Sequence, residues 1–122
     1  MKRWLKVLAF FLLLFLIVGG MFTACHVGHV KRSKEVALQQ NLWAMRRAID
    51  FYWQDKEKPP QSLQELVDSG YLREIPQDPL TGSNKTWITQ REKDSSKTPP
   101  GIINVISAAA GADNNGKPYN QY

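Results

Sequence analysis

The chain opens with an apolar run that passes, without an intervening proline, into a segment of mixed polar and apolar residues. Val7 to Ala24 carries no charged residue, and a stretch of this length is sufficient for a helix that crosses a bilayer. From Lys31 the apolar residues recur every three or four positions, which lines one face of an α-helix. The residues of this stripe are Leu38, Leu42, Met45, Ile49 and Tyr52. The pattern predicts one long helix whose upper section, 31–54, is amphipathic.

A proline pair and a capping sequence follow the long helix. Pro59-Pro60 ends it, because the residue before a proline is disfavoured in the α region. Ser62-Leu-Gln-Glu65 has the form of a capping box, in which Ser62 bonds the backbone N–H of Glu65 and the glutamate bonds that of Ser62. A short helix over 63–69 is therefore predicted, closed by Gly70 in the left-handed conformation.

Two strands are predicted in the remainder. Asp78-Pro-Leu-Thr-Gly82 is a turn sequence, because aspartate can bond its own backbone and glycine accepts a positive φ. It leads into a predicted strand over 86–89, and β-branched residues predict a second over 101–106. We therefore expect an α+β chain in which the part after Pro59 forms a small cap over the apolar stripe of the long helix. The domains are an N-terminal anchor, 1–30, and a folded domain, 31–122, whose part after the helix is 59–122.

The charge distribution supports a membrane anchor. Of the net charge of +5, three charges come from Lys2, Arg3 and Lys6, which places the N-terminus on the cytoplasmic side. The cluster around Lys31 flanks the other end almost equally, so orientation rests on the shortness of the N-terminal tail. The predicted anchor residues include Val7, Phe11, Leu14 and Ile17. A secretory signal, or a lipoprotein signal ending at Cys25, fits the same pattern.

Other features of the chain bear on its chemistry. No nucleophile–base spacing, phosphate-binding glycine loop or paired-carboxylate motif occurs, which argues against an enzyme. The folded part carries little excess positive charge, which argues against a nucleic-acid partner. Around the stripe, Arg46, Arg47 and Asp50 are expected to face away from it, and the aromatic cluster 51–53 is expected to be buried.

A series of short motifs follows the long helix through the rest of the chain. The motifs are Lys34-Glu-Val-Ala-Leu38, Ala48-Ile-Asp-Phe-Tyr52, Pro60-Gln-Ser-Leu63, Gly70-Tyr-Leu72, Ile75-Pro-Gln-Asp-Pro79, Thr81-Gly82 and Trp87. Together they resemble the major pseudopilin of type II secretion and related type IV pilin-like proteins. The resemblance extends over about 90 residues, from Lys31 to Tyr122, and the stretch from Gly70 to Gly82 is the most specific. It implies an α+β fold in which a long helix carries a small antiparallel sheet packed on its upper half, and a non-enzymatic subunit of a membrane-associated assembly.

Two features depart from that family. Its members are cut after a glycine and carry a glutamate five residues into the mature chain, whereas this chain has no acidic residue in its apolar run. Its C-terminal loop often binds calcium, but the matching loop here, 107–116, contains Ala108, Ala109 and Ala110 and keeps Asp113 as its one carboxylate. Since calcium prefers six to eight oxygen ligands, we expect a weak site or none, with the loop closed by its Asn-Asn-Gly turn and by Tyr119.

Two functions remain open from the sequence. The first is a structural subunit of a type II secretion or type IV pilus-like assembly, single-pass in the inner membrane with a periplasmic domain. Its partners would be membrane lipid and other pilin-like subunits. The second is a membrane-anchored accessory protein, or a lipoprotein modified at Cys25, that docks onto another membrane complex. The missing cleavage motif favours the second, and the domain pattern favours the first.

Overall fold

The computed structural model describes residues 1–92 and 100–122, except for the side chains of residues 2 and 22–28. Its elements are α1 (Lys2–Lys56), α2 (Leu63–Asp68), β1 (Trp87–Glu92), β2 (Gly101–Ser107) and a 3-10 turn (Tyr119–Gln121). The described residues form two compact units, Met1–Ser33 and Lys34–Tyr122. An apolar N-terminal helix and a two-stranded antiparallel sheet confirm the α+β class.

The first unit is helical and apolar. Within it, Arg3–Met21 has a mean hydropathy of 2.3, and none of the segment is buried. By length and composition this helix can cross a membrane, although a signal sequence shares both properties. The segment begins four residues ahead of the predicted span, 7–24, and includes Trp4 and Leu5. The residues named for the predicted anchor are all exposed, namely Val7, Phe11, Leu14 and Ile17.

The second unit has one core, built around the amphipathic part of α1. All five residues of the stripe are buried, with exposed fractions of 0–3%. Residues of α2, of both strands and of the 3-10 turn join the same cluster. These additional core residues are Leu63, Leu66, Trp87, Ile102, Val105 and Tyr119. Burying such side chains stabilises a fold by about 1.5–3 kcal/mol each, so the helix and the later elements depend on one another.

The ends of the helices differ in detail from the sequence prediction. Helix α1 runs to Lys56, two residues beyond 54, and ends where Glu57 adopts a φ of 56°. At the start of α2, the Ser62 hydroxyl accepts from the backbone N–H of Glu65 at 3.1 Å, as predicted. The predicted bond from the N–H of Ser62 to the Glu65 carboxylate was wrong. The carboxylate instead accepts from the N–H of Gln61. Gly70 closes the helix with a φ of 80°, as expected.

The two strands pair over their full length. The register runs from Trp87 opposite Ser107 to Glu92 opposite Gly101, with one irregularity between Gln90 and Arg91. Strand β1 extends to Glu92, beyond the predicted 86–89, because main-chain pairing with β2 does not require apolar side chains. Strand β2 was predicted over 101–106 and ends at Ser107.

Strand β2 starts against the proline pair that ends the long helix. The N–H of Ile102 donates to the carbonyl of Pro60 at 2.8 Å. A Cβ at Gly101 would lie 2.5 Å from Cγ of Pro59, closer than any side chain permits. The glycine therefore allows the strand to approach the helix end, which brings the sheet onto the stripe.

Candidate functional site

The turn at Asp78 is buried and tied to the end of the sheet. The Asp78 carboxylate accepts from the N–H of Leu80 at 2.8 Å through Oδ1 and from the hydroxyl of Ser107 at 2.5 Å through Oδ2. Asp78 and Ser107 are both fully buried. The predicted turn is confirmed, with Gly82 at a φ of 72°, but the sequence did not indicate its partner on β2. These contacts make the carboxylate a structural anchor for the turn.

All four tyrosines of the chain donate to carboxylates. Three of these bonds connect α1 with later segments: Tyr52 to Glu65 at 2.6 Å, Tyr71 to Asp55 at 2.8 Å and Tyr119 to Glu35 at 3.0 Å. The fourth lies within the C-terminal loop, from Tyr122 to Asp113 at 2.9 Å. The set therefore joins the helix to both the α2 region and the C-terminal segment, which are distant in sequence.

These bonds shift the ionisation of their partners. The bond to Glu65, followed by burial, raises the pKa of Tyr52. The same bond, followed by that from the Gln61 N–H, lowers the pKa of Glu65. Burial, followed by the bond to Asp113, raises the pKa of Tyr122 to about 12. Each tyrosine is therefore neutral, and able to donate, throughout the physiological range.

Arg46 also connects α1 to the sheet and the C-terminal segment. Its guanidinium donates to Oδ1 of Asn104 at 2.7 Å, to the carbonyl of Val105 at 2.9 Å and to the carbonyl oxygen of Tyr122 at 2.5 Å. The prediction that Arg46 faces away from the core was wrong. An arginine beside the stripe can extend its head group past the packed apolar residues to backbone carbonyls at their edge.

The loop that carries the calcium candidate is closed by donors of the protein itself. The Asp113 carboxylate accepts from the N–H groups of Asn115 at 2.8 Å and Lys117 at 2.9 Å, and from the hydroxyl of Tyr122. These bonds lower the pKa of Asp113, and the bond from the Lys117 N–H contributes most. The turn closes as predicted, with Gly116 at a φ of 79° and Tyr119 buried.

A calcium ion does not fit this loop well. Calcium needs oxygen ligands that point at one centre, whereas the Asp113 carboxylate is already turned toward N–H and O–H donors. Within the described part of the chain, no three His, Cys, Asp or Glu side chains come together as a metal site. There too, every buried side-chain nitrogen or oxygen has a partner, so none is left pointing at a missing ligand.

The remaining candidate residues are not brought together. Cys25 lies within α1, but its side chain is outside those that the structure describes. Of the aromatic cluster, Tyr52 is buried, Trp53 is half-buried and Phe51 is 44% exposed. The prediction that all three are buried was wrong, because consecutive helical residues point about 100° apart and only Tyr52 lies on the stripe.

Comparison of the chain with family models, curated proteins and solved structures gives no match. The described residues comprise a helical unit whose segment Arg3–Met21 can span a membrane, and an α+β unit, Lys34–Tyr122. The buried polar side chains Glu35, Asp78 and Ser107 are hydrogen-bonded within the second unit.

Proposed function

We propose that this chain is a pilin-like structural subunit of a type II secretion or type IV pilus-like assembly. It is held in the inner membrane by the segment Arg3–Met21, and the unit Lys34–Tyr122 lies on the periplasmic side. Its work is to make contacts with lipid and with other subunits, and it catalyses no reaction.

The observation that carries this proposal is the division of α1 into two apolar surfaces with different partners. None of the segment Arg3–Met21 is buried within the described chain, so its apolar surface is available to lipid. In the second unit, the stripe is covered by α2, the strands and the 3-10 turn. A helix of this kind suits a subunit that is anchored by one end and presents a folded domain at the other.

The closed C-terminal loop adds support. Asp113 and Arg46 hold the segment around Tyr122 against the loop and the sheet, which orders this part of the domain surface. Subunits that repeat the same contact benefit from a surface ordered in advance, because less conformational entropy is lost on association.

The alternative is an accessory protein that docks onto a different membrane complex. It is favoured by the apolar run itself, which lacks the acidic residue that the resembling family carries near its mature N-terminus. Modification at Cys25 would give such a protein a lipid anchor in place of a spanning helix.

Membrane attachment is tested by washing membranes that contain the full chain with alkaline carbonate. We expect the protein to stay in the membrane fraction, and release into the supernatant would contradict the anchor. Intact-mass measurement identifies the alternative, since a chain that begins at a lipid-modified Cys25 is shorter and carries acyl groups.

Assembly is tested by treating the same membranes with an amine-reactive cross-linker, followed by solubilisation and mass spectrometry. A structural subunit gives a ladder of adducts that contain several copies of this chain. An accessory protein gives one discrete adduct with a different protein, and that result would replace our proposal by the alternative.

A further inference from the structure

The side of α1 opposite the stripe carries an exposed aromatic pair with an arginine between its members. Trp43 is 62% exposed and Phe51 is 44% exposed. The guanidinium carbon of Arg47 lies 5.0 Å from the centre of each ring. The three residues are spaced by four and therefore form one ridge along the helix. We call Trp43, Arg47 and Phe51 the outer ridge.

The outer ridge borders a groove of the kind that accepts another helix. The groove has a volume of about 340 Å³ and separates the ridge from a second row of residues that are also spaced by four. This second row is Arg46, Asp50 and Gln54. Helices pack by inserting such ridges into such grooves. Tryptophan and arginine are also the residues most enriched at the energetic centres of protein interfaces.

The charges on this side of the helix determine which partner fits. Arg46 is committed to the sheet, so Arg47 and Asp50 are the exposed charges beside the groove. They stand three residues, or about 4.5 Å, apart along the helix axis. Two parallel copies in register would bring Arg47 against Arg47, which is repulsive. Copies displaced by about one turn bring Arg47 of one against Asp50 of the next.

We propose that the outer ridge and its groove bind a second copy of this chain in a parallel, displaced arrangement, with Arg47 of one copy paired with Asp50 of its neighbour. The displacement makes the contact unequal for the two copies, since one contributes Arg47 and the other contributes Asp50. This inference rests on the proposed assembly function and specifies the contact between its subunits.

The contact is too small to hold two copies together in dilute solution. Stable complexes bury about 800 Å² on each partner, and two exposed rings with one guanidinium supply only part of that area. Anchoring in one membrane raises the effective concentration of the copies. The contact is therefore expected in the membrane, and its test uses the full-length chain there.

The test places a photoreactive phenylalanine analogue at Phe51, which keeps an aromatic ring next to Arg47. Two differently tagged forms of the chain are expressed in the same membrane and irradiated. We expect an adduct of twice the chain's mass that carries both tags. Arg47→Glu alone, or Asp50→Arg alone, makes the facing charges alike and should lower its yield about fivefold to tenfold.

The decisive arm combines the two variants on separate chains. One copy then has acidic residues at both positions and the other has basic residues at both, so each repels itself and attracts the other. Restoration of the mixed-tag adduct supports the pairing. Arg73→Glu and Glu74→Arg, which alter exposed charges after α2, serve as matched controls and should leave the yield unchanged.

Three results would overturn the inference: no self-adduct, a self-adduct insensitive to both charge reversals, or no restoration in the mixed membrane. If amine cross-linking still gives a ladder of copies in that case, the assembly proposal stands and only this contact is wrong. If Phe51 instead captures a different protein, the outer ridge belongs to a docking site and the alternative function gains support.

Discussion

Replacing Asp78 by alanine should destabilise the second unit more than its small loss of volume would suggest. The carboxylate is fully buried and accepts from the N–H of Leu80 and the hydroxyl of Ser107. It also accepts from the N–H of Thr81 at a longer 3.3 Å. In the alanine variant the Ser107 hydroxyl loses its acceptor at a fully buried position, and the N–H groups of Leu80 and Thr81 lose theirs in the adjoining turn.

The size of the effect follows from the orphaned groups. A buried donor left without an acceptor costs about 1–3 kcal/mol, so Asp78→Ala should lower the free energy of unfolding by roughly 3–5 kcal/mol. Ser107→Ala removes one donor from the carboxylate and leaves the N–H of Ala109 without its acceptor, at a cost of about 2–4 kcal/mol. In the double variant, neither member of the Asp78–Ser107 pair is left facing a missing partner. The loss of stability in the double variant should therefore be smaller than the sum of the two single losses by about 1–3 kcal/mol.

Denaturant unfolding of the full chain in detergent micelles, followed by near-ultraviolet circular dichroism, measures these values. Asp78→Asn is the control, since it keeps the shape and one acceptor oxygen and should cost less than the alanine variant. Additive effects of the two single changes, within about 0.5 kcal/mol, would show that Asp78 and Ser107 do not depend on each other and would refute this reasoning.

Three further predictions concern the core, the tyrosine bonds and the C-terminal loop. Leu42→Ala should cost about 2–5 kcal/mol because it leaves a cavity in the stripe, whereas Trp43→Ala on the exposed side should change thermal stability little. The bond between Tyr52 and Glu65 should stabilise the fold in a pH-dependent way, because folding lowers the pKa of Glu65. The bond's contribution to stability is complete above the pKa of Glu65 in the unfolded chain, about 4.3. It is lost as the pH falls through the lower pKa of Glu65 in the folded chain. The stability difference between the parent chain and Tyr52→Phe should therefore shrink in acid, and a constant difference from pH 7 to pH 3 would contradict it. For the C-terminal loop, the melting temperature of the parent chain should be the same in excess calcium and in chelator. Asp113→Ala should lower the melting temperature in both conditions. A calcium-dependent rise in the parent chain that disappears in Asp113→Ala would mean that the loop binds the ion.

The local sequence pattern was sufficient to predict the elements that depend on residues close together in the chain. The apolar run and the spacing of four and three residues placed the long helix, and the buried stripe lies where that spacing requires. Proline, glycine and aspartate located the turns, because each acts on backbone angles within a few residues of itself. For this reason Gly70, Gly82 and Gly116 have the positive φ that their positions suggested.

The tertiary structure decided which distant residues meet. No local rule pairs Asp78 with Ser107 or directs Arg46 to Asn104 and Tyr122, since each pairing depends on how β2 lies against the helix. The packing of the sheet also explains why Phe51 and Tyr52 differ, although they are adjacent in sequence. The sheet covers one side of α1, so Tyr52 lies in the core and Phe51 stays on the surface. The helical period divided the residues of α1 between an apolar side and the side opposite it. The packing of the later elements determined which of these two sides remained open to a partner.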